Sequence, residues 1–288
     1  MRVPQLHLSR RTTAITVAFV ATVSLAIGAH AALNLRALDA AKAVATSDEG
    51  TSSAKKVTRV ALIIGNGHYP DATTPLTQPI NDARALSASL RHDGFDVDVI
   101  EDASRDDMKR AVDRLRGKIR SDSIVLLFFG GYGVQAGREN YMIPVDAVIW
   151  KASDVKRQGV SVESVLDVMK SQGARARLVV LDASRRNPYE RRFRSYSHGL
   201  APINAPDSTL VLSSVTPNEV VDDSSGEHSM LVSELLKNLD NRNLSVDAMF
   251  RNTRMAISRA SAGQQVPSVS SSLLEDIRLA AAGARSGS

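Results

Sequence analysis

Ile124-Val125-Leu126-Leu127-Phe128-Phe129-Gly130-Gly131-Tyr132-Gly133 is the stretch that decides the fold. Six apolar residues without alternation, closed by glycines, describe a strand covered on both faces, and such strands belong to parallel sheets wrapped in helices. Outward from it the pattern repeats. Short runs rich in Val, Ile and Leu at 59–64, 96–100, 177–181 and 209–212 alternate with helical periodicities over 80–93, 105–120, 161–172, 228–239 and 246–262. This alternation predicts an α/β domain with a largely parallel sheet. In open sheets of this kind the working groups gather just beyond the carboxyl ends of strands. Two such ends carry unusual residues: Gly130-Gly131-Tyr132-Gly133, and Asp182-Ala183-Ser184-Arg185 at the end of Val179-Val180-Leu181. If the two strands are parallel neighbours, their loops meet.

Composition narrows the chemistry. The chain has 288 residues, 43% of them hydrophobic, which suits a short leading segment and one domain of about 220 residues with a sizeable core. It contains no cysteine, so disulfides, thiolate metal sites and a thiol nucleophile are excluded together. The formal charge is +5, but Arg2, Arg10 and Arg11 lie in the first 31 residues, where no acid occurs, and the remainder carries only +2. Basic and acidic residues are mixed through that remainder, which argues against nucleic acid as a partner. No His-x-x-x-His, calcium loop or other ligand spacing is present, so no metal and no cofactor are expected.

The N-terminus reads as an export segment, 1–31. Arg10-Arg11 precede an apolar run over 14–28 and then Ala29-His30-Ala31, the layout of a secretory signal cleaved after Ala31. Because no Asp, Glu, Lys or Arg falls between Arg11 and Arg36, the same stretch is long enough to anchor the chain in a membrane if uncleaved. Both readings place the domain outside the cytoplasm, periplasmic or secreted, since flanking arginines hold the N-terminal end inside. Residues 32–56 read as a linker, 57–280 as the domain and 281–288 as a tail.

The two loop motifs have companions in a fixed order: Gly65-Asn66-Gly67-His68-Tyr69, Asn81-Asp82-Ala83, Asn140-Tyr141-Met142-Ile143-Pro144-Val145-Asp146, Gly199-Leu200-Ala201-Pro202 and Gln265-Val266-Pro267-Ser268. Together these resemble the bacterial metacaspase-like branch of the caspase family, across about Val57 to Leu279. The resemblance implies a six-stranded, mostly parallel sheet between helices, and a cysteine endopeptidase activity. It also implies that Tyr132 stands where the family has its catalytic histidine, and Ser184 where it has its cysteine. By the same resemblance Asp82 and Asp182 match the carboxylates that accept a basic substrate side chain.

Elementary chemistry then decides what such a pair can do. A cysteine thiol, with a pKa of about 8.5, gives up its proton to a neighbouring imidazole, whereas a serine hydroxyl needs a strong oriented base. Tyrosine, with a pKa of about 10, is a proton donor near neutrality. The expectation is a pseudopeptidase that binds basic peptide segments or a protein partner, with Tyr132 and Ser184 in plain polar contact. One alternative is a serine hydrolase in which Ser184 uses another base, for which His68, His92, His198 and His228 are the candidates; another is a purely structural domain. Asp82 and Asp182 have ordinary roles open to them as well, Asp82 as the cap of a helix from Ala83 and Asp182 as a tie for loop amides. The basic run Arg185, Arg186, Arg191, Arg192 and Arg194 reads as a solvated loop or a peptide contact.

Overall fold

The computed structural model describes residues 57–72, 75–186, 189, 199–221 and 226–280. The export segment, the linker, the tail and His198, with Arg191, Arg192 and Arg194, lie outside the described residues. Among the described residues no helix is long and apolar enough to cross a membrane.

The chain runs β1 (Arg59–Gly65), α1 (Gln78–His92), β2 (Asp96–Glu101), α2 (Arg105–Lys118), β3 (Ile124–Gly130), β4 (Gly133–Ala136), β5 (Glu139–Met142), α3 (Ala152–Gln158), β6 (Val160–Ser161), α4 (Val162–Ser171), β7 (Ala176–Asp182), β8 (Thr209–Ser213), α5 (Met230–Leu239), α6 (Val246–Ala260) and β9 (Ser268–Ser271). The central sheet has six strands in the order β2-β1-β3-β7-β8-β9. Every pair is parallel except β8 with β9, which places Leu210 opposite Ser271.

Register explains the two-sided core. Ile63, Phe128, Val180 and Leu212 face one another across β1, β3, β7 and β8, and they pack on the side covered by α1, α5 and α6. One residue on, Ile64, Phe129 and Leu181 form the matching row, on the side covered by α2 and α4. Successive side chains of a strand point to opposite faces, so an unbroken apolar run feeds both layers. Each such side chain contributes about 1.5–3 kcal/mol on full burial.

Serines open four of the six helices among the described residues. Ser104 accepts from the Asp107 amide, completed by the Asp107 side chain into a capping box on α2. Ser161, Ser229 and Ser245 cap α4, α5 and α6 in the same way. These hydroxyls satisfy amide groups that the first turn leaves unpaired, for about 1 kcal/mol each. At the other end of α6 the helix stops at Ala260, short of 262, because Ala262 and Gly263 turn to φ values of +50° and +82°.

A second, three-stranded antiparallel sheet, β4-β5-β6, and the short α3 follow β3 without having been expected. This small sheet leaves directly from the loop that carries Tyr132.

Candidate functional site

β3 and β7 are parallel neighbours, with Gly130 opposite Asp182 at their carboxyl ends. Beyond that register the two loops stay bonded. The Gly131 amide donates to the Asp182 carbonyl at 3.2 Å, and the Gly133 amide to the Ala183 carbonyl at 2.8 Å. The chain leaves β3 through Gly131 at φ +152°, where an added Cβ would lie 2.5 Å from the Tyr69 hydroxyl. Only glycine fits there. The expected meeting of the Tyr132 and Ser184 segments is therefore a feature of the structure.

Both side chains are buried at this junction. Tyr132 is buried, and its ring packs against Tyr69 with centroids 4.6 Å apart and planes tilted by 56°. Leu76, Val134, Ile143 and Tyr189 complete this apolar cluster. Tyr69 accepts from the Tyr132 amide at 3.1 Å and donates to the Ile143 carbonyl at 2.9 Å. Burial pushes the Tyr69 phenol well above its ordinary pKa, so it stays protonated as that donor. Ser184 is buried as well, at 1% exposure, and its carbonyl accepts from Val221 at 2.8 Å.

Of the candidate bases, His68 and His228 each lie against a carboxylate. His68 is exposed, and its Nδ1 lies 2.6 Å from Asp102 Oδ2. Burial alone would raise the Asp102 carboxyl, but hydrogen bonds from the His68 and Gly67 amides and from the His68 ring outweigh it and hold the group below its usual range. His92 is the exposed last residue of α1. His228 places Nδ1 3.0 Å from Asp82 Oδ1, an imidazole oriented by a carboxylate.

Asp82 and Asp182 are brought close enough for their charges to interact, and both are already occupied. Asp82, fully buried, also accepts from the Ser229 amide at 3.2 and 3.3 Å. Burial, and then the neighbouring charge of Asp182, push its carboxyl up to about 6. It is no helix cap: α1 begins at Gln78 with Pro79 in its first turn and Thr77 at the cap, so Asp82 lies inside the helix. The helix starts earlier than the Asn-Asp pair suggests because proline is well suited to a first turn, where its missing amide costs nothing.

Among the described residues the Asp182 side chain ties no loop amide; its Oδ2 pairs with Arg185 Nη2 at 2.9 Å. Arg185 Nη1 also donates to the Gly131 carbonyl at 3.3 Å and to the Asp182 carbonyl. Arg185 is thus a buried lock across both loops, contrary to its expected place in a solvated run, while Arg186 is exposed. A guanidinium can be buried this way because one planar group satisfies several acceptors at once.

Two further residues escape a reading of the motifs. Asn66, fully buried, accepts from the Ala103 amide at 2.9 Å and donates to the Ile143 carbonyl at 3.2 Å, joining three loops. Asn140 accepts from the Ala201 amide at 2.7 Å and donates to Glu163 at 3.0 Å. An asparagine beside a strand end is the available signal, but its partners are distant in sequence. Among the described residues no group of three or more His, Asp or Glu gathers in a metal-holding arrangement.

The caspase domain family matches residues 58–278. The human mucosa-associated lymphoid tissue lymphoma translocation protein 1 is 29% identical over 133 residues, covering 46% of this chain and 16% of its own length. The mouse homologue matches to the same extent. The chain therefore spans well under a fifth of the length of these curated relatives. A family match across most of the sequence coincides with a mostly parallel six-stranded sheet and two loops joined at its carboxyl edge, and the chain belongs to the caspase domain family.

Proposed function

We propose that this protein is an exported, non-cleaving caspase-domain protein of the bacterial metacaspase-like branch, which binds a peptide or protein partner. In this reading Tyr132 and Ser184 replace the family's histidine base and cysteine nucleophile. The observation that carries it is the packing of the Tyr132 ring against Tyr69, which makes the side chain at the base position part of a wall. A phenol, protonated near neutrality, does not take up a serine proton, so the exchange at the base position removes the route that the family uses. Export is supported by Arg10-Arg11, the apolar run and the Ala29-His30-Ala31 site.

Recognition of a basic side chain by Asp82 and Asp182 belongs to the same proposal. Arg185 is an internal example of the chemistry, a guanidinium on Asp182, and an incoming Lys or Arg has to displace it. The test is incubation of the purified protein with Arg- and Lys-containing peptide libraries. Binding without cleavage is expected, weakened by Asp82→Ala. Cleavage that disappears in Ser184→Ala would overturn the proposal. Fusion of residues 1–56 to a reporter active only outside the cytoplasm tests export; a silent fusion that is well expressed counts against it.

One observation favours a second reading, a serine hydrolase. His228 and Asp82 form an imidazole–carboxylate pair like that which orients the base in serine hydrolases. This reading requires ester or peptide hydrolysis that His228→Ala and Ser184→Ala each abolish. A purely structural role is the outcome if no peptide binds and nothing is cleaved.

A further inference from the structure

We propose that a cavity on the α2–α4 side of the domain is a binding site for a small aliphatic carboxylate. The cavity, of about 480 Å³, lies between one face of α2, the β5–β6 ladder and α4. Its size falls within the range of about 300–1,000 Å³ typical of small-molecule sites.

The walls have two chemistries. Val112, Val160 and Val168 line it and are only partly buried, although each belongs to an element otherwise packed on the core. With Val165 and the ring of Tyr141 they form an apolar floor. At the rim stand Lys109 and Lys156, exposed, with no ion pair among the described residues. Arg116 lies 3.5 Å from Asp113, Glu139 accepts a hydrogen bond from the Tyr141 hydroxyl, and the lining as a whole sets three cations, Lys109, Arg116 and Lys156, against these two carboxylates. The surplus is therefore positive and sits over branched aliphatic side chains. A hydrocarbon body on the floor with its carboxylate between the lysines matches both, since burial of each methylene is favourable and a charged acceptor gains from the ammonium groups. Asp113 and Glu139 at the same rim disfavour polyphosphates, whose several charges they would repel.

The experiment is calorimetric titration of the full chain with hexanoate and octanoate, alongside octylamine and 1-octanol. Octanoate is expected to bind saturably, about tenfold more tightly than hexanoate, as two added methylenes imply. Lys109→Gln with Lys156→Gln should weaken it at least tenfold, and octylamine should not bind. Ser164→Trp, which fills the cavity from an exposed position of α4, should abolish binding with the circular dichroism spectrum unchanged. Absence of saturable octanoate binding at millimolar concentration overturns the proposal. So does equal binding of octanol or octylamine, or affinity unaltered in the folded double-lysine variant. These readouts are independent of Ser184 and of any peptide.

Discussion

Asp82, Asp182 and Arg185 put two carboxylates and one guanidinium into a nearly dry space, and the arithmetic of that cluster is testable. A buried ion pair that loses one member leaves an uncompensated charge, which costs about 3–5 kcal/mol. Arg185→Ala should therefore destabilise the domain by that order in chemical denaturation, and Arg185→Ala with Asp182→Ala by clearly less. The raised carboxyl of Asp82 gives the second prediction. Its folded pKa of about 6 lies above the ordinary 3.8, so the folded state holds the extra proton. That contribution to stability is fully present below pH 3.8 and is lost as pH rises through 6. Melts between pH 4 and 7 should show a falling component on the order of 2 kcal/mol, absent in Asp82→Asn. Tyr132→Ala removes a buried aromatic ring and should cost about 3–5 kcal/mol in the same assay, as a packing residue does.

Strands with apolar runs and helices with a clear 3.6-residue period were legible in the sequence, and the short polar strands were not. The runs at 59–64, 124–129 and 177–181 could be read because parallel strands need no alternation, and their observed bounds differ by a residue or so. β9 was not, since Ser268-Val269-Ser270-Ser271 offers a single apolar side chain and is defined by its pairing with β8. The β4-β5-β6 ladder escaped for a related reason: Gln135 and Asn140 interrupt its pattern, and its burial comes from a tyrosine cluster drawn from distant segments. The site shows the same division. The meeting of the two loops followed from strand order, whereas the Tyr69 stack, the Arg185 lock and the His228–Asp82 pair depend on side-chain direction. At β2 the unpaired edge is guarded by charge, with Asp96, Asp98 and Glu101 held by Lys118, Arg114 and Arg84. Asn66 is the pin between these elements. Asn66→Ala leaves the buried Ala103 amide without its partner and the Ile143 carbonyl with the Tyr69 hydroxyl alone, and should lower stability by about 1–3 kcal/mol in a denaturant melt.

For the whole molecule, the layered sheet keeps the peptide cleft proposed at the strand ends separate in chemistry from the cavity proposed beside α4. Loss of one function should leave the other intact. One modest contact reaches further. Arg59, at the first position of β1, donates from Nε to the Leu279 carbonyl at 2.8 Å and from Nη2 to the Ala280 carbonyl at 3.2 Å. Entry and exit of the fold thus share one doorway. Proteins with neighbouring ends tolerate being rewired. A circular permutant that bridges residue 280 to residue 57 and opens at the exposed turn of Gly137 and Arg138 should fold with an unchanged circular dichroism spectrum. Nature could splice such a unit into a loop of a larger host with little disturbance on either side of the seam.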